Sequence, residues 1–423
     1  MGALSYWQIL KKKGFIYFIY AEFFGALNDN VLRMVLGFQA LEVGWTGGET
    51  SSVSALGVSA VGAVFIVPFL IFSGIAGNIA DTFNKQRVLF ITKALEVATM
   101  ILSIFVIPLN IFWLSLAVLF LDATKTTFFS PAEYGYLPEI FNEKALTRAN
   151  SLVSLATYSA IIVGLFIGSS LYYLFKDHKV YISLFIFGIS LLGWAAVFFI
   201  PRSPHEGTGT KVSFNLYQTI ISGTQKILAD SRLVLTVGGI IWFWFTGGMI
   251  QILLMLMGKE DMHLNSFFIG TIFIYLGIGV AVGNLLCGRL SGDHINLGLS
   301  VIGGIGMGLS GMLLFFTASS YAASIVPLFL LGLAGGIFIV PLNANLQYLA
   351  GVQEKGKLVA TSNVYSMAAV LAASVVIPFF YDLLALSSDQ ILFILGIATL
   401  GVVIYPIFKT FLSLKMDLRF GAL

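Results

Sequence analysis

The chain has 423 residues, of which 58% are hydrophobic and only 10% are charged, and its mean hydropathy is +0.95. Because soluble domains carry about 25% charged residues, this composition excludes a soluble protein with one anchor and indicates a polytopic helical membrane protein. The net charge of +3 is small, and the single cysteine excludes an internal disulfide. The four histidines have no metal-ligand spacing, so we expect neither a metal nor a cofactor.

Twelve apolar stretches are each long enough to cross a bilayer as a helix. They predict an all-α membrane protein with twelve transmembrane helices in two six-helix bundles. The predicted spans lie near residues 15–41, 53–80, 88–107, 110–131, 150–175, 180–200, 232–258, 266–290, 296–318, 321–347, 358–383 and 389–413.

The first span contains charged residues. Glu22, Asp29 and Arg33 fall within roughly 40° of one another on a helical wheel, and Asn28 and Asn30 flank the aspartate. A charge near the bilayer centre costs about 3 kcal/mol or more, so such residues usually face a bundle interior or a wet cavity. We therefore predict that this face binds substrate or takes part in coupling.

Two further spans of the first half carry opposite charges three residues apart. Lys93 and Glu96 lie in the third span, and Asp122 and Lys125 lie in the fourth. Each pair, like Asp29 and Arg33, is readable as a local structural ion pair, but three such pairs in one half also predict a charged site. In the second half the candidate binding residues are neutral, namely Gln251 and Asn343. A charged half and a mostly apolar half suit an amphiphile with one tail, and a small polar cargo is the alternative.

The longest connection divides the chain into residues 1–200, a linker at 201–231 and residues 232–423. The second part of the linker has apolar residues at helical spacing and predicts a helix along the membrane surface. Lys and Arg outside the spans concentrate at the N-terminus, the C-terminus and the loops on the same side as these termini. By the positive-inside rule, both termini are expected in the cytoplasm.

A charged motif lies between the second and third spans, and it reads Gly77-x-x-x-Asp81-x-x-Asn84-Lys85-x-Arg87. We expect the glycine to let helices approach closely and the aspartate to pair with one of the basic residues or to cap a helix. The motif resembles the signature loop of the major facilitator superfamily. That resemblance implies the major facilitator fold and a role for these residues in gating.

A second motif, Phe128-Phe-Ser-Pro131-Ala-Glu133-Tyr134-Gly135-Tyr-Leu-Pro138, predicts a helix break at the end of the fourth span, with a restart near Arg148. We assign Pro131, Glu133, Tyr134 and Arg148 to the gate. Together with Phe24-Gly-Ala-Leu-Asn28-Asp29-Asn30 and Gly335-Gly-Ile-Phe-Ile-Val-Pro341-Leu-Asn343, the motif resembles the lysophospholipid transporter family, a branch of the major facilitators.

This resemblance implies a transporter in a bacterial inner membrane that moves lysophospholipid to the cytoplasmic leaflet and works as a monomer. A separate cytoplasmic acyltransferase is an expected partner. Many family members have Lys where this chain has Glu133, some have Lys where it has Glu96, and some have Arg where it has Gln251, so the head-group preference is open. The alternative is a proton-coupled transporter of a drug-like or siderophore-like solute, with Glu22 or Asp29 as proton carrier. No motif in the sequence indicates catalysis or nucleic-acid binding.

Overall fold

The computed structural model describes residues 6–43, 55–141, 143–202, 216–291, 295–349 and 351–420. The regular elements in these ranges are helices, with a 3-10 turn after α4 and π-helical turns after α9 and α13. The α-helices are α1 (Tyr6–Leu10), α2 (Phe15–Val43), α3 (Ala55–Thr82), α4 (Lys85–Val106), α5 (Phe112–Ile140), α6 (Glu143–Phe175), α7 (Lys179–Val197), α8 (Leu216–Ala229), α9 (Ser231–Leu256), α10 (Ser266–Ser291), α11 (Leu297–Thr317), α12 (Tyr321–Leu349), α13 (Gly351–Pro378) and α14 (Ser388–Phe420).

Within the described ranges, eleven helices are long and apolar enough to cross a membrane. α2 is also long enough, with 29 residues, but its charged residues lower its apolar character. Helices α2–α7 and α9–α14 correspond to the twelve predicted spans, which confirms the predicted all-α membrane fold. The structure therefore describes a multi-pass membrane protein.

The predicted break at the end of the fourth span is wrong. α5 continues through Pro131 and Pro138 to Ile140, and α6 already begins at Glu143. Because hydrocarbon offers no hydrogen bonds to a broken backbone, a helix within a membrane continues through a proline when its neighbours support it. At the end of α5, the ammonium of Lys12 donates a hydrogen bond to the backbone carbonyl of Ile140, which no longer has a partner in the helix.

The helices form two compact units, Met1–Gln218 and Thr219–Leu423. In the first unit, α2 packs on α6 and α7, α3 packs on α5, and α4 packs on α5 and α7. In the second unit, α9 packs on α13 and α14, α10 packs on α12, and α11 packs on α12 and α14. The same pairing order in both units is what an internal duplication produces.

Glycines allow α6 to lie close to α2. A Cβ atom added at Gly164 would lie 2.9 Å from the carbonyl oxygen of Leu27, and one added at Gly168 would lie 2.9 Å from that of Val31. Small residues four positions apart are the usual means by which membrane helices approach closely. This approach fixes the position of α6 beside the charged face of α2.

The predicted linker helix is α8, at Leu216–Ala229. Its Thr224 hydroxyl contacts the Tyr365 hydroxyl of α13, and Ile227 is buried while Leu228 is exposed. The helix therefore has one face against the second unit and one apolar face turned outward.

The next helix, α9, is capped by Asp230, whose side chain accepts a hydrogen bond of 2.9 Å from the backbone N–H of Arg232. Hydrogen bonds from the Arg232 side chain lower the pKa of Asp230.

Candidate functional site

Buried charge in the described part of the chain is confined to the first unit. In the second unit, the described buried polar residues are serines, threonines and Asn345, whose amide donates to the Thr236 hydroxyl at 2.8 Å. The difference between a charged and a neutral half, predicted from the sequence, is thus present inside the folded units. The buried charged side chains are Glu22, Asp29, Lys93, Glu96, Asp122, Lys125 and Glu133.

Lys125 joins three helices through its ammonium group. Its Nζ lies 2.7 Å from Asp29 Oδ1 on α2, 3.0 Å from Glu96 Oε2 on α4 and 3.4 Å from Asp122 Oδ1 on its own helix. The hydroxyl of Thr126 donates to the other oxygen of Asp29 at 2.9 Å. Asp29 is therefore held from two directions, and one ammonium offsets the charge of several carboxylates.

Lys93 extends this network toward the start of α2. Its Nζ lies 2.8 Å from Glu96 Oε2 and 5.0 Å from the centroid of the Phe129 ring. The amide of Asn28 donates to the other Glu96 oxygen at 3.2 Å. A methyl group at Gly25 would overlap the Lys93 ammonium, so this glycine makes room for the lysine against α2.

A second acidic group lies beside the network. Glu22 on α2 and Glu133 on α5 lie close enough for their carboxyl groups to interact electrostatically. The hydroxyl of Thr157 on α6 donates to Glu22 Oε1 at 2.7 Å. Within the described chain, Glu133 Oε1 is buried and receives no hydrogen bond. Glu133, predicted as a gate residue, is therefore part of the buried site.

The buried site holds more acid than base. Five carboxyl groups and two ammonium groups are buried in the described part of the first unit. Two like charges about 4 Å apart repel by roughly 4 kcal/mol at an effective dielectric constant of about 20. Both side-chain oxygens of Asp122 are buried and accept no hydrogen bond from the described residues. The site is thus an acidic environment in which the cations are already engaged.

Asp29 has partners on another helix in addition to its neighbour Arg33, with which the sequence suggested a local pair. Asp29 is bound by Lys125 and Thr126 of α5. The Arg33 guanidinium lies 4.5 Å from the centroid of the Phe65 ring on α3 and donates to Asn30 Oδ1 at 3.5 Å. A partner from a neighbouring helix was possible because α5 and α2 are in contact.

Near the start of α4, the predicted gate residues make contacts that differ from those expected. Lys85 pairs with Glu139 of α5 at 2.6 Å, above Gly135, where a methyl group would press on the lysine side chain. Arg87 is exposed. At Gly77, no described atom lies within 4 Å of the position of an added Cβ, so the described residues do not show the expected close helix approach, and the role of Gly77 stays a prediction.

The other predicted residues are placed as follows. Asn84 caps α4 by accepting from the backbone N–H of Gln86 at 3.1 Å. Pro131 lies inside α5, and Tyr134 on the same helix is 60% exposed. In the second unit, Gln251 lies in α9, and Asn343 is exposed in α12. Asp81 lies in α3 and Arg148 lies in α6, and their side chains are outside the described residues. The proposed roles of all these residues stay predictions.

Sequence reasoning missed four residues that shape the site. Thr126 and Thr157 are hydroxyl groups within apolar helices, a type that usually bonds to its own helix and gives no separate signal. The sequence showed Gly25 only as part of a motif and Glu139 only as a charged residue at a helix end, and it predicted no contact for either. Only the packing of the helices identifies these four residues.

The comparisons with known proteins agree with this architecture. A sequence model of the Major Facilitator Superfamily matches residues 18–374. The chain is 28% identical to the lysophospholipid transporter LplT of Photorhabdus laumondii over 379 residues, covering 85% of this chain and 89% of that protein. It is also 28% identical to LplT of Klebsiella pneumoniae over 357 residues, covering 82% of each, and 25% identical to LplT of Yersinia pestis over 342 residues, covering 80% of this chain and 77% of that protein.

Solved structures share the fold. A POT family transporter in complex with a thioalcohol-conjugated peptide superposes with a TM-score of 0.71 at 13% identity, covering 94% of this chain and 96% of that chain. Such low identity speaks for the fold alone. The family match covers most of the spans that hold the buried charges. The chain therefore belongs to the Major Facilitator Superfamily.

Proposed function

We propose that this protein is a secondary-active transporter that moves lysophospholipid across the bacterial inner membrane to the cytoplasmic leaflet by alternating access. The observation that carries the proposal is the confinement of buried charge to the first unit in the described chain. A lysophospholipid has one charged head and one apolar tail, which fits a charged unit and a neutral one. The names of the similar proteins from Photorhabdus and Klebsiella support the same cargo.

The head group is expected to enter by exchanging ion-pair partners. Phosphate oxygens accept hydrogen bonds from ammonium groups, and Lys93 and Lys125 are the buried cations of the site. Both are already paired with carboxylates in the structure. A phosphate therefore competes with Asp29 and Glu96, and an amine in the head group gives these carboxylates a new partner.

The tail is expected to contribute little to selectivity. Each buried CH₂ group is worth about 0.8 kcal/mol in water, but the tail starts in lipid, so only a fraction favours the protein. Selection then depends on the head group and on the space for a single chain. Diacyl lipids should compete poorly with lysolipids, and tail length should matter modestly.

The charge distribution outside the spans supports an orientation with both termini in the cytoplasm. Lysophospholipid delivered to that leaflet can be re-acylated by a separate cytoplasmic acyltransferase. The protein acts as a transporter rather than an enzyme in this scheme, and it works as a monomer. Gln251 and Asn343 are assigned to substrate binding within the second unit.

Binding to the purified protein tests the cargo. Lysophosphatidylethanolamine, lysophosphatidylglycerol and their diacyl counterparts are compared as competitors for a fluorescent lysolipid. We expect the one-chain lipids to compete and the two-chain lipids to compete weakly. Equal competition by both classes, or by neither, contradicts the proposal and favours the proton-coupled transporter of a small solute.

Uptake into proteoliposomes tests the site. Asp29→Asn removes one of the three carboxylates around Lys125 and leaves two, so the fold should persist. We expect uptake to fall by about tenfold to a hundredfold, because the amine of the head group loses the charged acceptor at Asp29. A hydrogen bond to a charged group contributes about 1.5–3 kcal/mol. Glu42→Gln, at an exposed position of the same helix, is the control and should transport normally. Near-normal uptake by Asp29→Asn would remove Asp29 from the site.

A further inference from the structure

We propose that a cavity at the end of the first unit, where α6 is joined to α7, binds a phosphate ester that also carries an amine. This is the chemistry of an ethanolamine phospholipid head group. The identification of this ligand with the transported lipid rests on the proposed function. The cavity itself rests only on side chains that the buried charged network does not use.

The cavity lies between two connections of the first unit. It has a volume of about 390 Å³ and is lined by Pro108 and Asn110, which join α4 to α5, and by residues 176–180, where α6 is joined to α7. This lining provides two ammonium groups, one imidazole and one carboxylate, from Lys176, Lys179, His178 and Asp177. Most of the polar groups that face the cavity therefore suit an anion.

The start of α7 adds to this attraction. The helix begins at Lys179, and the side chain of its N-cap residue, His178, makes no capping hydrogen bond in the described chain. The first turn of a helix carries unsatisfied backbone N–H groups and a partial positive charge. Because Lys179 and Val180 line the cavity, this positive end borders it.

Lys179 is held in place by residues of other segments. Its ammonium donates to Oδ1 of Asn110 and lies 5.6 Å from the centroid of the Tyr172 ring. The amide of Gln39 on α2, which is fully buried, donates to the same Oδ1 at 3.0 Å. Asn110 has a φ of 59°, a left-handed conformation that asparagine adopts more readily than most residues. A lysine fixed in this way loses less freedom on binding than an unrestrained surface lysine, as a binding site requires.

The sequence places these lysines where basic residues are few. Outside the predicted spans, the side opposite the termini has three lysines or arginines, namely Lys176, Lys179 and Lys259. Two of the three line this cavity. The positive-inside bias works against lysines on this side, so their concentration at one cavity favours a role in binding.

The surroundings of the cavity favour a lipid head group as the ligand. Trp113 of α5 and Tyr181 of α7 follow the same two connections and are 55% and 53% exposed. Exposed Trp and Tyr side chains concentrate at the level of the head groups in membrane proteins. Phosphate oxygens accept hydrogen bonds from the lysines, and an amine pairs with Asp177. A phosphate without an amine leaves Asp177 as a repelling charge, so the zwitterionic ester fits better.

Lysine footprinting of the purified full-length protein tests the site. The rate at which each lysine is acetylated is measured by mass spectrometry, with and without sn-glycero-3-phosphoethanolamine, a soluble head group that has no tail. We expect several-fold protection of Lys176 and Lys179. Lys259, on the same expected side of the second unit, should react unchanged. No protection of Lys176 and Lys179, or equal protection of Lys259, overturns the inference.

Two further ligands identify the chemistry and its source. Inorganic phosphate should protect less than the soluble ester, because it has no amine for Asp177. Lysophosphatidylethanolamine should protect at a lower concentration than the soluble ester, because its tail holds the head group at the membrane surface. Equal protection by inorganic phosphate overturns the assignment to an amine-bearing ester. Protection by the soluble ester but not by the lysolipid overturns the assignment to a lipid.

Variants test the part played by Lys179. Lys179→Gln should weaken binding of the soluble ester by about tenfold, measured through the protection of Lys176, because it removes one charged hydrogen bond. Asn110→Gly keeps a residue that accepts the left-handed turn but releases Lys179, so binding should weaken several-fold. Lys259→Gln, the same change in the second unit, is the control and should bind normally. Equal binding by Lys179→Gln and Lys259→Gln, with both folded, overturns the inference.

The two proposals fail separately in these experiments. If the soluble ester protects Lys176 and Lys179 but no lysophospholipid is transported, the proposed function is wrong and the cavity remains a head-group site. If lysophospholipid is transported but neither lysine is protected, the cavity is not a binding site and the proposed function stands.

Discussion

Lys125 determines how single residues in the site can be tested. Its ammonium contacts carboxylates of α2, α4 and α5. Removing one partner of a buried ion pair costs about 3–5 kcal/mol, because the remaining charge stays in a poorly solvated place. Substitution of Lys125 therefore changes stability before it reports on transport. Asp29→Asn is the sharper substitution, since the ammonium keeps two partners.

Gly25 gives a prediction at the residue scale. Because a methyl group there would overlap the Lys93 ammonium, Gly25→Ala should displace Lys93 from Glu96. We expect a loss of about 1–3 kcal/mol, the usual cost of overpacking, seen as a lower unfolding temperature in detergent. Gly77→Ala is the matched control, since no described atom lies within 4 Å of its added Cβ. It should unfold at the wild-type temperature or higher, because alanine favours a helix. Equal losses in both variants would argue against the packing role of Gly25.

At the scale of elements, α5 is the helix that organises the first unit. It contributes Asp122, Lys125 and Glu133 to the site, and it contacts α3 and α4. Pro131 lies between Lys125 and Glu133 and cannot donate a backbone hydrogen bond to the helical turn before it. The helix nevertheless continues, so the proline marks a weakened position in an unbroken helix rather than its end.

Pro131→Ala tests whether this weakened position is used in transport. The variant should unfold at a higher temperature, because proline is about 3 kcal/mol less favourable than alanine inside a helix. If α5 bends at Pro131 during alternating access, the rate of lysophospholipid uptake should fall several-fold while stability rises. Pro68→Ala, a buried proline inside α3, is the control and should change stability without slowing uptake. Normal uptake by Pro131→Ala would remove this residue from the gate.

The sequence predicts the membrane-spanning helices better than the contacts between them. The spans and the buried charges could be predicted, because an apolar run interrupted by Glu22 or Asp29 is a local signal. The partners on other helices could not, because the pairing of Asp29 with Lys125, or of Lys85 with Glu139, depends on the register between helices. The end of the fourth span was predicted wrongly because local helix-breaking residues were given more weight than the absence of water around the backbone.

At the scale of the whole molecule, the two units have the same order of helix pairs but different interiors. In both units the first span packs on the fifth and sixth, the second on the fourth, and the third on the fourth and sixth, so the repeat is kept in the backbone. In the described residues, the first unit buries charge and the second buries neutral hydroxyl and amide groups. The two units thus share a fold but differ in the chemistry of their interiors. If the proposed function holds, the net charge of the first unit is expected to select the head group.

Glu133→Lys tests this dependence on net charge. The change replaces a buried acid beside Glu22 with a base and brings the numbers of buried acids and bases in the first unit closer. An anionic phosphate head without an amine should then be accepted more readily. We expect the affinity for lysophosphatidylglycerol relative to lysophosphatidylethanolamine to rise by roughly tenfold, a fraction of the roughly 4 kcal/mol between charges about 4 Å apart at an effective dielectric constant of about 20.

Competition binding at one pH measures this ratio, with the unfolding temperature as the check that the variant is folded. Glu42→Lys makes the same change of charge at an exposed position of α2, where solvent screens it. It should leave the ratio unchanged. A similar shift in both variants would mean that the general charge of the protein, rather than the buried site, sets the preference. No shift in Glu133→Lys would mean that the head group does not approach Glu22 and Glu133, and that its selection depends on the carboxylates around Lys125 instead.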